Sequence, residues 1–267
     1  MKQFILNREP GKDKTVRLNG DDYRYLVTVR RLAVGEFFPA LLPGGEETLV
    51  QVLSISRGVL TGKCLPPEAV SGETPPAAAK EKIPPIVLFQ AMPKGEKMDM
   101  IVRQAAEGGI TEIVPFVSEF SVAKTGAGGQ KFSRWERIIK EARQQSGSKT
   151  MTAIRPPLTM SELFDYWKKL KEGGALGLLF HHRGLAQESL HSYLNSNPGV
   201  VALAVGPEGG FSEKEVSLFL ENGFKPLTIG DTILRTETAA LYCAAAIRII
   251  LLEKNSWKLK QKKNDSV

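Results

Sequence analysis

From residue 86 onward the chain alternates short, wholly apolar runs with amphipathic segments, and few architectures accept that alternation. The runs at 86–91, 113–117, 176–180, 200–205 and 227–229 lack the polar alternation of a half-exposed strand. They predict strands covered on both faces, as in a parallel sheet. Between them Met98, Ile101, Val102 and Ala105 recur at i, i+3, i+4, i+7, and Gly108-Gly109 supply a helix stop. Ser133 with Glu136 reads as a capping box ahead of Trp135, Ile138, Ile139 and Ala142. Ser212 with Glu215 reads as another, and Gly223 closes the helix that follows. A last helix is predicted over 237–253, where Ala239, Ala240, Ala244, Ala245 and Ala246 leave room for close packing. The expected fold class is α/β with a mostly parallel sheet and no internal repeat.

The first 65 residues have a different texture. Short strand-like runs at 4–6, 15–18, 36–38, 48–52 and 59–61 are bounded by Gly and Pro, and Pro43-Gly44-Gly45 fits a hairpin turn. Within 21–31 a helix is expected instead, with Tyr25, Val29 and Leu32 at near-helical spacing. This predicts a small β-barrel domain over 1–70. Pro66-Pro67, Pro75-Pro76 and Pro84-Pro85 then mark a semi-extended linker, placed at 71–85. The α/β domain is expected over 86–255, and a basic tail over 256–267.

Composition excludes several classes. Two cysteines far apart, Cys64 and Cys243, rule out a disulfide framework and Cys-rich zinc patterns. Of the three histidines, His181 and His182 are adjacent on an expected strand, so they should point to opposite faces and share no metal. No apolar run has the length to span a bilayer, and Met1-Lys2-Gln3-Phe4 does not begin a signal peptide, so a cytoplasmic protein is expected. The net charge of +7 favours an acidic partner, nucleic acid being the commonest.

Two motifs carry the chemistry. In the first, the apolar run 200–205 enters Gly206-Pro207-Glu208-Gly209-Gly210 and then the capped helix. Such turns present backbone N–H groups at the carboxyl end of a strand, where open α/β sheets bind ligands. The bland alternative is a tight turn that binds nothing. A dinucleotide site is a second alternative, but the G-x-G-x-x-G spacing is missing, and only Asp231, about twenty residues on, stands near where that fold keeps its ribose acid. In the second motif, Ile229-Gly230-Asp231-Thr232-Ile233-Leu234 leads to Arg235-Thr236-Glu237-Thr238 at the mouth of the last helix. Thr236 or Thr238 can serve as N-cap and Glu237 suits the first turn, but a cation at a helix N-terminus is unfavourable, which singles out Arg235.

Taken together, the segments 206–212 and 229–239 resemble the signature pair of the ribosomal RNA small subunit methyltransferase E family. Lys94-Gly95-Glu96-Lys97-Met98, Gln145-Ser146-Gly147 and Arg30-Arg31-Leu32 lie in matching order, so the resemblance runs from about residue 20 to 253. It implies a SPOUT-type α/β domain whose C-terminal segment forms a trefoil knot, behind a PUA-like RNA-binding barrel. It implies S-adenosyl-L-methionine as methyl donor and N3 of a uridine in 16S rRNA, near the decoding region, as acceptor. Naked 16S rRNA and the assembled small subunit both remain open as substrate, and a homodimer is implied, with no membrane and no metal. The donor would lie among Leu179, Phe180, His181, Gly206, Pro207, Glu208, Gly210, Ile229, Gly230, Ile233, Leu234 and Thr236. Arg235 would stabilise the anionic base, with Glu208 or Glu237 as proton acceptor. Arg30, Arg31, Lys94 and Arg143 would hold RNA, Arg183 being a weaker candidate. A non-catalytic RNA-binding relative and a Rossmann-type nucleotide-binding enzyme are the competing readings.

Overall fold

A computed structural model describes residues 4–67, 83–121, 129–182 and 185–264, the side chains of 129, 130 and 255–264 excepted. The chain divides into two compact units, one of Met1–Lys80 with Arg143–Met151, the other of Glu81–Ala142 with Thr152–Val267. The segment expected to be a linker falls outside the described residues except for 83–85.

The first unit carries five strands: β1 (Phe4–Ile5), β2 (Thr15–Leu18), β3 (Phe37–Leu41), β4 (Glu47–Ser56) and β5 (Val59–Leu65). They pair in the order β1-β3-β4-β5-β2, antiparallel except for β1 with β3. The hairpin expected at Pro43-Gly44-Gly45 joins β3 to β4, with Gly45 at φ 85° and its N–H donated to the Leu42 carbonyl. Phe4, Leu18, Phe38, Val50 and Leu60, one from each strand, meet in a single core. The helix expected over 21–31 is α1 (Gly20–Tyr23), running on as a π-helical turn over Arg24–Val29. Widening the turn changes which side chain faces inward: Leu26 is fully buried, whereas Val29, expected inside, is 66% exposed.

The second unit is a three-layer α/β/α sandwich. Its strands are β6 (Ile86–Ala91), β7 (Glu112–Phe116), β8 (Ala153–Ile154), β9 (Ala175–Phe180), β10 (Val200–Val205) and β11 (Lys225–Leu227). All pair parallel, in the order β11-β9-β10-β6-β7-β8. The apolar runs therefore lie where expected, except that the last strand ends at Leu227 instead of crossing Ile229. Burial on both faces explains the unbroken hydrophobicity. On β6, Ile86 and Leu88 pack on one face while Val87, Phe89 and Ala91 pack on the other.

The first face is covered by α2 (Lys97–Glu107), α3 (Gly129–Ser146), α5 (Leu190–Leu194) and α7 (Thr236–Asn264), the second by α4 (Met160–Glu172) and α6 (Glu213–Glu221). The box of Ser212 and Glu215 caps α6 as expected, and a further box, Thr159 with Glu162, caps α4. Ser133 does not stand at a helix start: α3 already runs from Gly129, so the i, i+3 pair with Glu136 lies inside the helix. The last helix continues to Asn264, through most of the span expected to be a tail. No helix among the described residues is long and apolar enough to cross a membrane.

Candidate functional site

Chain order reverses across the sheet between β6 and β10: β7 and β8 extend to one side, β9 and β11 to the other. At such a switch point the loops diverge and leave a crevice outside the carboxyl ends of the strands. A cavity of about 440 Å³ occupies this place, within the roughly 300–1,000 Å³ of small-molecule sites. Its walls come from the ends of β9 and β10, the residues ahead of α7, and Lys97 at the start of α2.

The turn after β10 is tight for a stated reason. Gly210 donates its N–H to the Pro207 carbonyl at 2.9 Å and sits at φ 70°. A Cβ on Gly206 would lie 3.1 Å from both Cα and the carbonyl carbon of Gly210. Only glycine lets the two ends of this turn approach so closely. Opposite, Thr236 is 4% exposed; its hydroxyl accepts from Gln90 Nε2 at 3.0 Å and donates to the Gly206 carbonyl at 2.6 Å. One hydroxyl thus ties β6, the glycine turn and the start of α7. Thr236→Val keeps the shape and removes both bonds, leaving the Gly206 carbonyl without its donor in a buried place. A loss of about 1–3 kcal/mol is expected in urea unfolding.

Of the residues expected to hold the donor, Phe180, His181, Gly206, Pro207, Glu208, Gly210, Ile233, Leu234 and Thr236 line this cavity, and Arg235 joins them. Leu179 does not: successive side chains of a strand alternate, and it is fully buried in the opposite core with Phe89 and Phe224. Ile229 and Gly230 also stand outside the lining, because the strand stops at Leu227 and the chain turns at Gly230, φ 71°. The segment before that turn is clamped by Gln187, which donates to the Thr228 carbonyl and accepts from its N–H at 2.6 Å. Nothing in the local sequence marks Gln187.

His181 and His182 do not diverge as expected. β9 ends at Phe180, so strand alternation no longer applies, and the two rings stack with centroids 4.9 Å apart on the cavity wall. Among the described residues no group of three or more His, Cys, Asp or Glu could hold a metal.

Arg235 is exposed, has no ion-pair partner among the described residues, and precedes α7, its carbonyl accepting from Ala239 N–H at 2.7 Å. Neither Thr236 nor Thr238 is the cap: α7 already begins at Thr236. Glu208 is far from free. Its carboxylate accepts the Lys94 N–H at 3.1 and 3.2 Å and pairs with Lys97 Nζ at 2.9 Å. Burial acts to raise its pKa, but the Lys97 ammonium and the backbone N–H groups outweigh that and hold it below the usual carboxylate range. Glu237 stands behind the wall, Oε2 lying 3.6 Å from Lys97 Nζ without a hydrogen bond. Lys97 is the side chain that sequence reasoning misses. Its one signal is to be the second lysine of Lys94-Gly95-Glu96-Lys97, where only Lys94 was expected to act.

Among the expected RNA ligands, Lys94 and Arg31 are exposed, and Arg30 is half-buried with Nη1 unpartnered among the described residues. Arg143, also expected to hold RNA, is 6% exposed, with Nη2 3.3 Å from the Met151 sulfur. Arg183 lies outside the described residues.

An RNA methyltransferase domain matches residues 80–248. The ribosomal RNA small subunit methyltransferase E of Synechocystis sp. is 32% identical over 241 residues, covering 90% of this chain and 74% of the relative. The enzyme of the same name from Neisseria gonorrhoeae, solved bound to S-adenosyl methionine, superposes with a TM-score of 0.76 at 25% identity, over 94% of this chain and 98% of that one. A Legionella pneumophila protein solved with bound SAM gives 0.74 at 26% identity, over 93% and 96%. The cavity of this chain is built from the same two glycine motifs that carried the resemblance, and with relatives matched along nine-tenths of its length the chain belongs to the ribosomal RNA small subunit methyltransferase E family.

Proposed function

We propose that this protein transfers a methyl group from S-adenosylmethionine to N3 of a uridine in small-subunit ribosomal RNA, near the decoding region. The cavity at the switch point carries the reading. Ile233 is 80% exposed on its rim, where a large apolar side chain has no role in the fold but suits the face of a bound nucleoside. Phe180 and Leu234 add apolar surface, and the glycine turn offers main chain without Cβ atoms in the way. These residues fit the donor, which supplies an electrophilic methyl on a neutral leaving group.

The protein's own work is then orientation and charge. N3 of uridine carries a proton at neutral pH, and the base becomes anionic as that proton leaves. The Arg235 guanidinium, uncommitted to any described carboxylate and on the cavity wall, would stabilise that anion. Of the two carboxylates proposed to accept the proton, Glu208 lines the cavity but already accepts two donors, the Lys94 N–H and the Lys97 ammonium, whereas Glu237 keeps one oxygen without a hydrogen bond but stands behind the wall. Both therefore stay candidates for the acceptor. Because N3 lies on the Watson–Crick edge, the uridine must be unpaired or drawn from its partner.

The first unit is assigned to RNA as a PUA-like barrel spanning 1–70, with Arg30 and Arg31 on backbone phosphates and Lys94 at the rim of the methyltransferase domain. The trefoil knot is part of the proposal as well. Supporting it, β11 lies at the sheet edge while α7, which follows, packs back over β6 and β10. A homodimer through α2 and α7 is favoured by the exposed Leu241 and Ile249, which line an apolar groove between those helices.

Calorimetric titration of the purified chain tests the reading. S-adenosylhomocysteine should bind and NAD should not. Binding of NAD alone would move the assignment to a nucleotide-dependent oxidoreductase, and binding of neither to a non-catalytic RNA-binding protein.

A further inference from the structure

We infer that Lys97 is a positioning residue of the methyl-donor site, its ammonium joining the turn after β10 to the first turn of α7 and fixing the cavity wall before the donor enters. The inference rests on the cavity being that site. Lys97 Nζ lies 2.9 Å from Glu208 Oε1 and 3.6 Å from Glu237 Oε2. The three residues come from α2, the glycine turn and α7, segments that share no sequence neighbourhood.

The fold does not account for this lysine. The buried stripe of α2 is Met98, Ile101, Val102, Ala105 and Ala106, and Lys97 stands outside it. A cation at the first residue of a helix meets the positive end of the backbone dipoles, which is unfavourable. Two carboxylates from elsewhere hold it there. Removing the ammonium would leave those carboxylates as unneutralised like charges beside a half-buried wall. The Lys94 N–H adds a main-chain tie to the same Glu208 carboxylate, so the 94–97 segment grips the glycine turn at two points. Behind it Asp99 anchors the segment, accepting from Trp135 Nε1 at 3.0 Å and pairing with Arg134 at 2.5 Å. The role inferred for Lys97 is exerted through Glu208 and Glu237.

Removing Lys97 also has a pH effect of definite sign. Burial alone would raise the Glu208 carboxyl, and Lys97 is the largest influence that lowers it. A carboxylate with a depressed pKa keeps its contribution until the pH falls through that lowered value. Without Lys97 the contribution is lost at a higher pH.

The test is titration calorimetry of S-adenosylmethionine with the full-length protein, K97M, K97R, E208Q and K97M/E208Q, from about pH 5 to pH 8. Thermal melts run alongside. Lys97→Met should weaken donor binding about tenfold at neutral pH, the effect of one lost charge-assisted contact. Its acid limb should move to higher pH, and K97R should restore much of both. The double variant should bind no worse than the weaker single one, since both act through one contact. Should K97M not fold, the acid limbs of K97R and E208Q against the unsubstituted protein carry the test. Equal affinity and an unmoved acid limb in K97M would overturn the inference, as would additive losses in the double variant. If the unsubstituted protein bound no donor at all, the methyl-donor reading itself would fall first, and the inference with it.

Discussion

Replacing Arg235 by alanine is expected to slow methyl transfer by about 10²–10³-fold, the usual loss when one preorganised stabiliser of developing charge is removed. Donor affinity should stay within about threefold, since the main chain of the glycine turn and apolar side chains form most of the wall. Placement is the reason. Arg235 ends the segment that lines the cavity, it makes no ion pair with a described residue, and it sits at the N-terminus of α7, where helix electrostatics disfavour it. A cation kept at an unfavourable position and left unneutralised is poised for a negative charge that arrives from outside. Arg235→Lys keeps the charge but loses the planar fork, and an intermediate rate is expected. Turnover retained in Arg235→Ala with unchanged donor affinity would remove this residue from the mechanism.

Gly206→Ala should act on the other half of the reaction. The added methyl would lie 3.1 Å from two backbone atoms of Gly210, and backbone, unlike a flexible side chain, cannot swing aside. Relief requires the turn to open, which also draws the Gly206 carbonyl from the Thr236 hydroxyl. Donor affinity is expected to fall about 10²-fold, because a displacement of roughly 1 Å in a positioning element can cost that much. Calorimetry measures the affinity and urea unfolding the accompanying loss of stability. An alanine variant that bound the donor normally would show that the closeness of 206 to 210 serves packing alone.

The second unit's fold was legible because burial leaves a direct trace. A strand covered on both faces is a short unbroken apolar run, and four of the five such runs became strands within a residue of their expected bounds. The run at 227–229 was misplaced because Ile229 is apolar for a different reason: it packs against the core from a turn. β8, two residues long, was too short to read at all. Ser133 and Glu136 show the limit of motif spacing, since an i, i+3 pair looks the same inside a helix as at its start.

In the site, the glycine turn and the residues ahead of α7 could be found because their chemistry is local. Lys97, Gln187 and Gln90 could not. Each acts on a partner dozens of residues away, through contacts that exist only once the sheet has brought the carboxyl ends of β6, β9 and β10 together. Leu179 failed for the converse reason: it belongs to the right strand, but a strand offers only alternate side chains to one face. The histidine pair inverted the same rule, because the strand ended one residue before it.

The central claim is that this cavity delivers a methyl group to one uridine of small-subunit rRNA. Its most direct test is to incubate the protein with isotope-labelled S-adenosylmethionine and small ribosomal subunits from cells lacking this gene, then digest the RNA and locate the label by mass spectrometry. The expected result is label on N3 of a single uridine near the decoding region, lost with Arg235→Ala. Label on another atom, on another RNA, or on none would contradict the account.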